Sequence, residues 1–298
     1  MQPAPVLLFT YNRPAHTRQT LNALLRNTLV SESELYIFSD GYKNETDRKA
    51  VEEVRKIIHN TGGFKKIHIT ENSRNRGLAE SIISGVTQVV DDRGKVIVIE
   101  DDLETSPHFL TFMNQALTMF ENEPRIGHIH AYCYPLPELP EAFLIKWAGS
   151  WGWATWKRAW QTFNPDGKAL LDEIKRRKLT RAFDFNGKYP YTRMLQRQVS
   201  GENNSWAIRW NASLFLGDKL SVNAGRSLVT NLGFDGSGTH CGSRNIFATP
   251  LHGQKLSIRI PAIEESAVAR RSFEKYYGKV NSFWLKVKRR IQRHLQSR

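Results

Sequence analysis

The chain of 298 residues contains only two cysteines and no long apolar run. Cys133 and Cys241 cannot build the disulfide framework of a small secreted domain, and no spacing of cysteine and histidine resembles a zinc site. No stretch of about 18 apolar residues occurs, so we expect no membrane-spanning helix. The start of the sequence lacks the basic flank and apolar core of a signal peptide. We therefore expect a cytoplasmic protein.

Two glycine-rich phosphate-binding motifs are also absent. No GxGxxG follows the first apolar run and no GxxxxGK[ST] occurs anywhere, so neither a dinucleotide-binding site nor a P-loop is indicated. A globular core is nevertheless available, because 40% of the residues are hydrophobic and 11% are aromatic. The length suits one large α/β domain or two small ones.

The excess of positive charge is concentrated at the C-terminal end. The formal net charge is +14, and eight of the lysines and arginines follow the last acid, Glu274. Between them, apolar residues recur at helical spacing at Trp284, Val287, Ile291 and Leu295. This pattern is typical of a helix on an anionic membrane surface, and also of a terminal helix that packs on the body with a solvated basic face. We keep both interpretations for residues 275–298 and expect no nucleic-acid partner.

The first hundred residues alternate short apolar runs with amphipathic helical patterns. Runs rich in β-branched and aromatic residues predict strands at 6–9, 35–39, 66–70 and 96–99. Apolar residues at helical spacing predict one helix that begins at Pro14 and three further helices that include 51–58, 78–89 and 109–117. This alternation predicts an α/β fold with a mainly parallel sheet flanked by helices.

Three consecutive acids follow the predicted strand at 96–99. Glu100, Asp101 and Asp102 bring several carboxylates to the carboxyl end of a buried strand, which is where α/β sheets hold their ligands. A divalent cation relieves the mutual repulsion of such a cluster. The alternative is that the acids only solvate a turn before the next helix, a role that is compatible with metal binding. The cluster favours a metal-dependent enzyme that acts on a phosphorylated ligand.

Several motifs, taken in order, give the chain a resemblance to a known family. They are Phe9–Pro14, Ser39–Gly41, Asn75–Leu78 and Glu100–Asp102. Together they resemble the GT-A-fold glycosyltransferases, above all the N-acetylglucosaminyltransferase I type with its Glu-Asp-Asp motif and the bacterial sugar transferases related to it. The similarity continues through 149–153, 205–210 and 233–240, so that it covers roughly residues 4–242.

The resemblance implies a nucleotide-sugar donor at the ends of the first strands. The predicted donor-binding residues are Thr10, Tyr11, Asn12, Arg13, Asp40, Arg76, Gly77, Glu100 and Asp101. Asp102 would coordinate Mn²⁺ or Mg²⁺ together with the donor diphosphate, and His240 would be a further metal or diphosphate ligand. Each of three residues also has an ordinary structural role as its alternative: Asp40 as a turn residue, Arg76 as an exposed arginine and His240 as a loop histidine.

Tryptophans form the predicted acceptor surface. Trp151 and Trp153 are flanked by glycines, and they are candidates, with Trp206, to stack on the face of a sugar. Trp153, Trp156 and Trp160 also have the helical spacing of core residues, so burial explains part of the cluster.

An inverting transfer needs a general base that deprotonates the acceptor hydroxyl. Sequences of the type that the chain resembles carry an acid directly before the Ser-Trp pair, where this chain has Asn204, and an amide cannot accept that proton. We take Glu202, two residues earlier, as the predicted base. If Asn204 occupies the base position instead, weak, altered or absent activity is expected.

The resemblance thus implies a GT-A-type fold in three segments: a nucleotide-sugar-binding half at 1–105, an integrated acceptor-binding and catalytic half at 106–245, and a basic amphipathic tail at 246–298. The implied activity is the metal-dependent, inverting transfer of a hexosyl or N-acetylhexosaminyl group to a glycan or lipid-linked glycan in surface polysaccharide synthesis. A sugar-phosphate nucleotidyltransferase shares the strand-end acids and the cation, but the loop at 10–14 offers no lysine-bearing activation motif. The alternative interpretation, a nucleic-acid-binding protein, is supported by net charge alone.

Overall fold

A computed structural model describes residues 2–233 and 249–281 of the chain. One eight-stranded sheet forms its centre. The strands of that sheet are β1 (Val6–Thr10), β2 (Glu34–Ser39), β3 (Lys66–Glu71), β4 (Lys95–Glu100), β6 (Ile126–His130), β7 (Ala142–Ile145), β8 (Trp153–Trp156) and β9 (Leu220–Ala224). A second, two-stranded sheet pairs β5 (Leu103–Thr105) with β10 (Val229–Asn231).

Helices connect and cover the strands. They are α1 (Pro14–Leu25), α2 (Glu45–His59), α3 (Leu78–Arg93), α4 (Phe109–Met119), α5 (Lys157–Trp160), α6 (Gly167–Arg176), α7 (Thr180–Phe183), α8 (Tyr191–Val199), α9 (Trp206–Leu216) and α10 (Ala267–Val280). The four predicted strands correspond to β1–β4 and the four predicted helices to α1–α4. Among the residues that the structure describes, no helix combines the length and apolar character needed to cross a bilayer.

The large sheet is mainly parallel, as predicted. Its strand order is β3-β2-β1-β4-β8-β6-β9-β7. Strands β1 to β4 pair in parallel, and so do β6 and β9, whereas β8 and β7 run antiparallel to their neighbours. Because strands from both predicted halves hydrogen-bond into one sheet, the second half is not an independent core. The boundary at residue 105 remains a prediction.

The apolar runs of the central strands are explained by burial on both faces of the sheet. Every residue of β1 is buried. Val6 and Leu8 join the core cluster that includes α1 and α4, while Leu7 and Phe9 join the cluster beneath α3 and α9. A parallel strand covered by helices on both sides has no solvent-facing side chains, so its sequence reads as a continuous apolar run.

The direction of the strands brings the polar strand ends together. Strands β1, β2, β4, β6 and β9 run the same way, so Thr10, Ser39, Glu100, His130 and Ala224 lie along one edge of the sheet. Ligands of open α/β sheets bind beyond this carboxyl edge.

The beginning of the predicted basic tail is part of the folded body. Tyr277 of α10 is fully buried, and its hydroxyl lies 3.1 Å from the hydroxyls of both Tyr134 and Tyr191. Helix α10 therefore packs on the protein, whereas the apolar residues on which both interpretations of the tail rest begin only at Trp284. The rest of the tail, from residue 282, lies outside the described residues.

We expect Ile97→Ala to lower the free energy of unfolding by about 2–5 kcal/mol, because it leaves a cavity in a central strand. Ile97 is fully buried and pairs with Val6 on one side and Ala154 on the other. Urea unfolding measures the change. Met119→Ala, at a half-exposed position at the end of α4, is the control and should change it by less than about 0.5 kcal/mol. Equal losses in the two variants would contradict this account of the core.

Candidate active site

The acid cluster begins where β4 ends. Glu100 is the last residue of the strand, and Asp101 and Asp102 form the turn before β5. The Asp101 carboxylate accepts hydrogen bonds from the Tyr11 backbone N–H at 3.1 Å and from the Thr17 hydroxyl at 3.4 Å. Asp101 thus points towards the start of α1. Asp102 lies in the turn beyond β4, so the alternation of side chains along a β-strand does not determine its orientation.

Asp102 lies at the meeting point of three chain segments. Its Oδ2 accepts a hydrogen bond from Arg13 Nη1 at 3.1 Å, and both side chains are mostly buried, with 16% and 19% of their surfaces exposed. The backbone N–H of Leu232 donates to the Asp102 carbonyl at 2.7 Å. A Cβ atom at Gly233 would lie 2.7 Å from Asp102 Oδ2, so a glycine is needed there for the chain to pass so close to the carboxylate.

Negative charge is crowded at this edge. Burial, together with the charges of Asp102 and Asp101, holds the pKa of Glu100 well above its usual range. Burial and the charge of Asp102 raise the pKa of Asp101 to about 6. A cation bound at this position is therefore stabilised more than a cation bound at an isolated carboxylate, because it also relieves the repulsion among the three acids.

Within residues 2–233 and 249–281, no three histidine, cysteine or acidic side chains converge closely enough to hold a metal ion by themselves. Mg²⁺ sites that are shared with a substrate diphosphate use only one or two carboxylates, with phosphate and water oxygens as the other ligands. Crowded carboxylate oxygens are the hard donors that Mg²⁺ and Mn²⁺ prefer. Asp102, with Glu100 beside it, fits an ion of that kind.

Asp40 fixes the loop that precedes α3. Its carboxylate accepts hydrogen bonds from the backbone N–H groups of Gly41, Arg76 and Gly77, each at 2.9 Å. Gly77, with φ of +79°, is the residue directly before the helix. Both carboxylate oxygens are thus engaged, which agrees with the structural alternative given above. Binding of a base by Asp40 stays a prediction.

The Arg76 side chain is also engaged within the protein. Its Nε donates to Glu80 Oε1 at 2.7 Å, one helical turn further along, and the guanidinium is about one-third exposed. This is the exposed arginine of the alternative interpretation. A phosphate would have to compete with Glu80 for it.

The loop after β1 is tied to the first turn of α2 by Asp47. The Tyr11 hydroxyl donates to Asp47 Oδ2 at 2.7 Å, and Asn12 Nδ2 donates to Asp47 Oδ1 at 3.0 Å. Burial and this contact raise the pKa of Tyr11 to about 12. Sequence reasoning missed Asp47, because an acid in a first helical turn is ordinarily explained by the helix dipole.

A cavity of about 360 Å³ opens beyond the end of β6. Aromatic rings supply much of its wall, among them Tyr132, Tyr134, Trp147, Trp151, Tyr189 and Tyr191. Trp151, a predicted acceptor residue, is partly exposed and meets Tyr132 edge-on with the ring centroids 4.7 Å apart. We call this space the aromatic cavity.

The other two predicted acceptor tryptophans are core residues, which corrects the sequence-based expectation. Trp153 is fully buried and Trp206 is 3% exposed. Their rings stack on each other with centroids 5.1 Å apart, and His128 also stacks on Trp153 with centroids 5.5 Å apart. Neither residue lines the aromatic cavity. Trp153 and Trp156 are buried, as their spacing indicated, but they lie in strand β8 and not in a helix.

Glu202 lies on the surface, in the loop between α8 and α9. Its carboxylate accepts hydrogen bonds from Arg197 Nε at 2.8 Å and from the Ser200 hydroxyl at 3.0 Å, and these bonds lower its pKa. It is not part of the wall of the aromatic cavity. The ion pair weakens Glu202 as a base, and its position argues against the predicted role. Asn204 Oδ1 instead accepts from Arg209 Nη2 at 3.2 Å.

His130, the last residue of β6, was not found by sequence reasoning. It is buried and lines the aromatic cavity. The available signal was its place at the end of an apolar strand, the same signal that identified Glu100. His240, the second predicted metal ligand, lies in the segment 234–248, outside the described residues.

Residues 6–132 match the family model described as Glycosyl transferase family 2. Among solved structures, the chain is similar to TarS of S. aureus, with 16% identity over 47% of this chain and 24% of TarS and a TM-score of 0.32. It is similar to the mannosyltransferase PcManGT of Pyrobaculum calidifontis, solved in complex with GDP-Man and Mn²⁺, with 10% identity over 72% and 74% of the two chains and a TM-score of 0.38.

A cytidylyltransferase of Leptospira borgpetersenii shows 11% identity over 58% of this chain and 65% of its own, with a TM-score of 0.35. TM-scores this low do not support the assignment of a function. The family match covers β1 to β6 and includes the acid cluster. The chain is therefore similar to Glycosyl transferase family 2 over residues 6–132, and its α/β fold with a mostly parallel sheet is consistent with the GT-A type.

Proposed function

We propose that the chain is a metal-dependent, inverting glycosyltransferase that moves a sugar from a nucleotide donor to a hydroxyl of a glycan or lipid-linked glycan. The observation that carries the proposal is the crowded acid cluster of Glu100, Asp101 and Asp102 at the carboxyl edge of the sheet, within the segment that matches family 2. The N-acetylglucosaminyltransferase I type remains the suggested subtype, and surface polysaccharide synthesis the suggested pathway.

The donor nucleotide is proposed to lie over the ends of β1 and β2. Two loops flank this position, and each is tied by a carboxylate: Asp47 holds the loop after β1, and Asp40 holds the loop before α3. On the strand ends between them, Thr10 Oγ1 and Ser39 Oγ are buried without a hydrogen-bond partner among the described residues. Loops that are anchored by internal hydrogen bonds suit a nucleotide site that is largely pre-formed.

Asp102 and Glu100 are proposed to hold Mn²⁺ or Mg²⁺ next to the donor diphosphate. When bound, such an ion acts as a Lewis acid that stabilises the departing nucleoside diphosphate. Arg13 holds Asp102 in place through its Nη1, and its other N–H groups can donate charge-assisted hydrogen bonds to phosphate oxygens. The chain thus offers both carboxylates for a cation and a guanidinium for the phosphates at one place.

The acceptor is proposed to bind beyond β6, where Trp151 faces the aromatic cavity. We no longer assign Trp153 and Trp206 to the acceptor, because both are core residues. We also leave the general base unassigned, since Glu202 is paired with Arg197 at the surface and Asn204 cannot take a proton.

A thermal-shift panel tests the proposed activity. UDP-, GDP-, dTDP- and CMP-sugars are added to the full chain with Mn²⁺ or with EDTA. We expect one nucleotide class to raise the Tm only when the metal is present, because a ligand that binds the native state stabilises it. Equal shifts with EDTA would contradict metal dependence. Release of pyrophosphate from a nucleoside triphosphate and a sugar phosphate would favour nucleotidyl transfer instead.

We expect Asp102→Asn to abolish the metal-dependent Tm shift and to lower sugar transfer by at least about a hundredfold, since the neutral amide is a poor ligand for a hard cation. Glu104→Gln is the matched control. It removes an acid two residues further along, one that is paired with Arg26 at 3.0 Å. The control should keep both the shift and the transfer rate. An active Asp102→Asn enzyme would refute the proposed metal site.

Glu100→Gln should stabilise the metal-free protein, because it removes one of the crowded charges. Relief of about 1 kcal/mol raises the Tm by about 2–4 °C. The Tm is measured in EDTA, and the Glu104→Gln protein again serves as the control. A lower Tm for Glu100→Gln would mean that the carboxylate is stabilising and that the repulsion is not the dominant effect.

The basic tail is proposed to bring the enzyme to the inner face of an anionic membrane. To test this, four tail residues are replaced by glutamine in the full chain: Lys286, Lys288, Arg289 and Arg290. Each basic residue near an anionic surface contributes about 1 kcal/mol, so binding to phosphatidylserine vesicles should fall by more than about tenfold. The matched control replaces four exposed lysines of the body: Lys49, Lys56, Lys65 and Lys66. Equal losses in the two variants would refute a specific role of the tail.

A further inference from the structure

The aromatic cavity lies within reach of the acid cluster. Leu228 donates its backbone N–H to the Ala131 carbonyl at 2.9 Å, next to His130, and Leu232 donates to the Asp102 carbonyl at 2.7 Å. Four residues connect these two points, and four residues of extended chain span at most about 14 Å. The segment of chain that passes next to His130 therefore reaches the acid cluster within that distance.

The tautomer of His130 follows from its neighbours. Asn223 Nδ2 donates to the Ser221 carbonyl at 3.1 Å, and this bond orients the Asn223 amide so that its Oδ1 faces His130 Nδ1 at 3.2 Å. An amide oxygen only accepts, so Nδ1 carries the ring proton. The second ring nitrogen, Nε2, is then an unprotonated acceptor. Burial lowers the pKa of His130 to about 3, so the ring stays neutral at physiological pH.

The Nε2 atom has no hydrogen-bond partner among the described residues, although it is buried. An unpaired buried acceptor costs about 1–3 kcal/mol. Gly149 lies directly beside it, since a Cβ atom at that position would be 2.3 Å from Nε2. Any larger residue at 149 would press on the imidazole and cover this nitrogen. The glycine therefore lets the chain pass directly against Nε2, which is buried in the wall that His130 and Gly149 share.

We propose that His130 is an acceptor-binding residue, whose Nε2 accepts a hydrogen bond from a hydroxyl of a neutral pyranose held in the aromatic cavity. The proposal rests on the proposed glycosyltransferase function and names the chemistry of its acceptor. Aromatic walls suit the apolar face of a sugar ring. The unprotonated Nε2 favours a group that donates a hydrogen bond, such as a hydroxyl. It disfavours a phosphate or a carboxylate, because their oxygens would place a lone pair against the lone pair of Nε2.

The direct test observes the nitrogen itself. The full chain is labelled with ¹⁵N-histidine, and the Nε2 resonance of His130 is identified by its loss in His130→Gln. Methyl β-D-glucopyranoside, methyl β-D-galactopyranoside and methyl N-acetyl-β-D-glucosaminide are then titrated in separate samples. We expect at least one glycoside to move the resonance towards the value of a protonated nitrogen. Binding of every glycoside without this shift, or no binding at all, would overturn the proposal.

Two substitutions separate hydrogen bonding from packing. His130→Asn keeps a polar atom near the Nδ1 position and removes Nε2, whereas His130→Gln places an amide oxygen near the Nε2 position. We expect His130→Asn to weaken glycoside binding about tenfold, as measured by tryptophan fluorescence, and His130→Gln to recover most of the affinity. His252→Asn, a histidine outside the cavity, is the control. Unchanged binding by His130→Asn would refute the role of Nε2.

The nucleotide-sugar thermal shift keeps the two proposals distinguishable. His130→Asn should retain the Mn²⁺-dependent shift, because it does not touch the acid cluster. If the glycoside binds at His130 but no nucleotide sugar shifts the Tm, the proposed transferase function fails and the cavity remains a carbohydrate site. If the nucleotide sugar binds and no glycoside moves the Nε2 resonance, the acceptor proposal fails alone. If the variants unfold, the resonance is assigned in the unaltered protein as the Nε2 signal that keeps the value of an unprotonated nitrogen on acidification, because burial lowers the pKa of His130 to about 3, and the glycoside titration still decides.

Discussion

The packing of three carboxylates at the end of β4 is the constraint on which the site depends. A buried strand leaves little water around them, so the charges of Asp101 and Asp102 act on Glu100 at low effective dielectric. Arg13 offsets part of this charge by contacting Asp102, and the Asp101 carboxylate is held by Tyr11 and Thr17. The fold maintains the arrangement because β4 is fixed between β1 and β8 in the middle of a large sheet.

The two proposed binding regions are built from different chemistry. In the proposed donor region, carboxylates hold the loops: Asp40 accepts hydrogen bonds from backbone N–H groups before α3, and Asp47 accepts them from the side chains that follow β1. In the proposed acceptor region, aromatic rings from separate segments enclose a cavity, and the Tyr277 hydroxyl of α10 lies next to those of Tyr134 and Tyr191. Polar anchoring suits a charged nucleotide, and aromatic walls suit a neutral sugar.

The sequence pattern does not predict which tryptophans are buried in the core and which line the cavity. Trp151 and Trp153 are two residues apart and have similar glycine-rich surroundings, yet one lines the cavity and the other is fully buried. Their difference arises because Trp153 begins β8 and packs against α9, a helix more than fifty residues away in the chain. Local spacing cannot report such a contact. Glu202 is a different case, because its partner Arg197 is only five residues away and the contact forms locally at the end of α8.

The sequence by itself determined the parallel strands β1 to β4, the helices around them and the acid cluster at the strand end, because apolar runs and helical periodicity are local consequences of burial. It also indicated the glycosyltransferase resemblance, since the motifs lie at strand ends in order. Only the tertiary structure decided that β6 to β9 extend the same sheet, that Asp40 binds the loop before α3, and that the unpaired Nε2 of His130 is buried in the wall of the aromatic cavity. These features arise from side chains that are distant in sequence and meet only when the sheet is assembled.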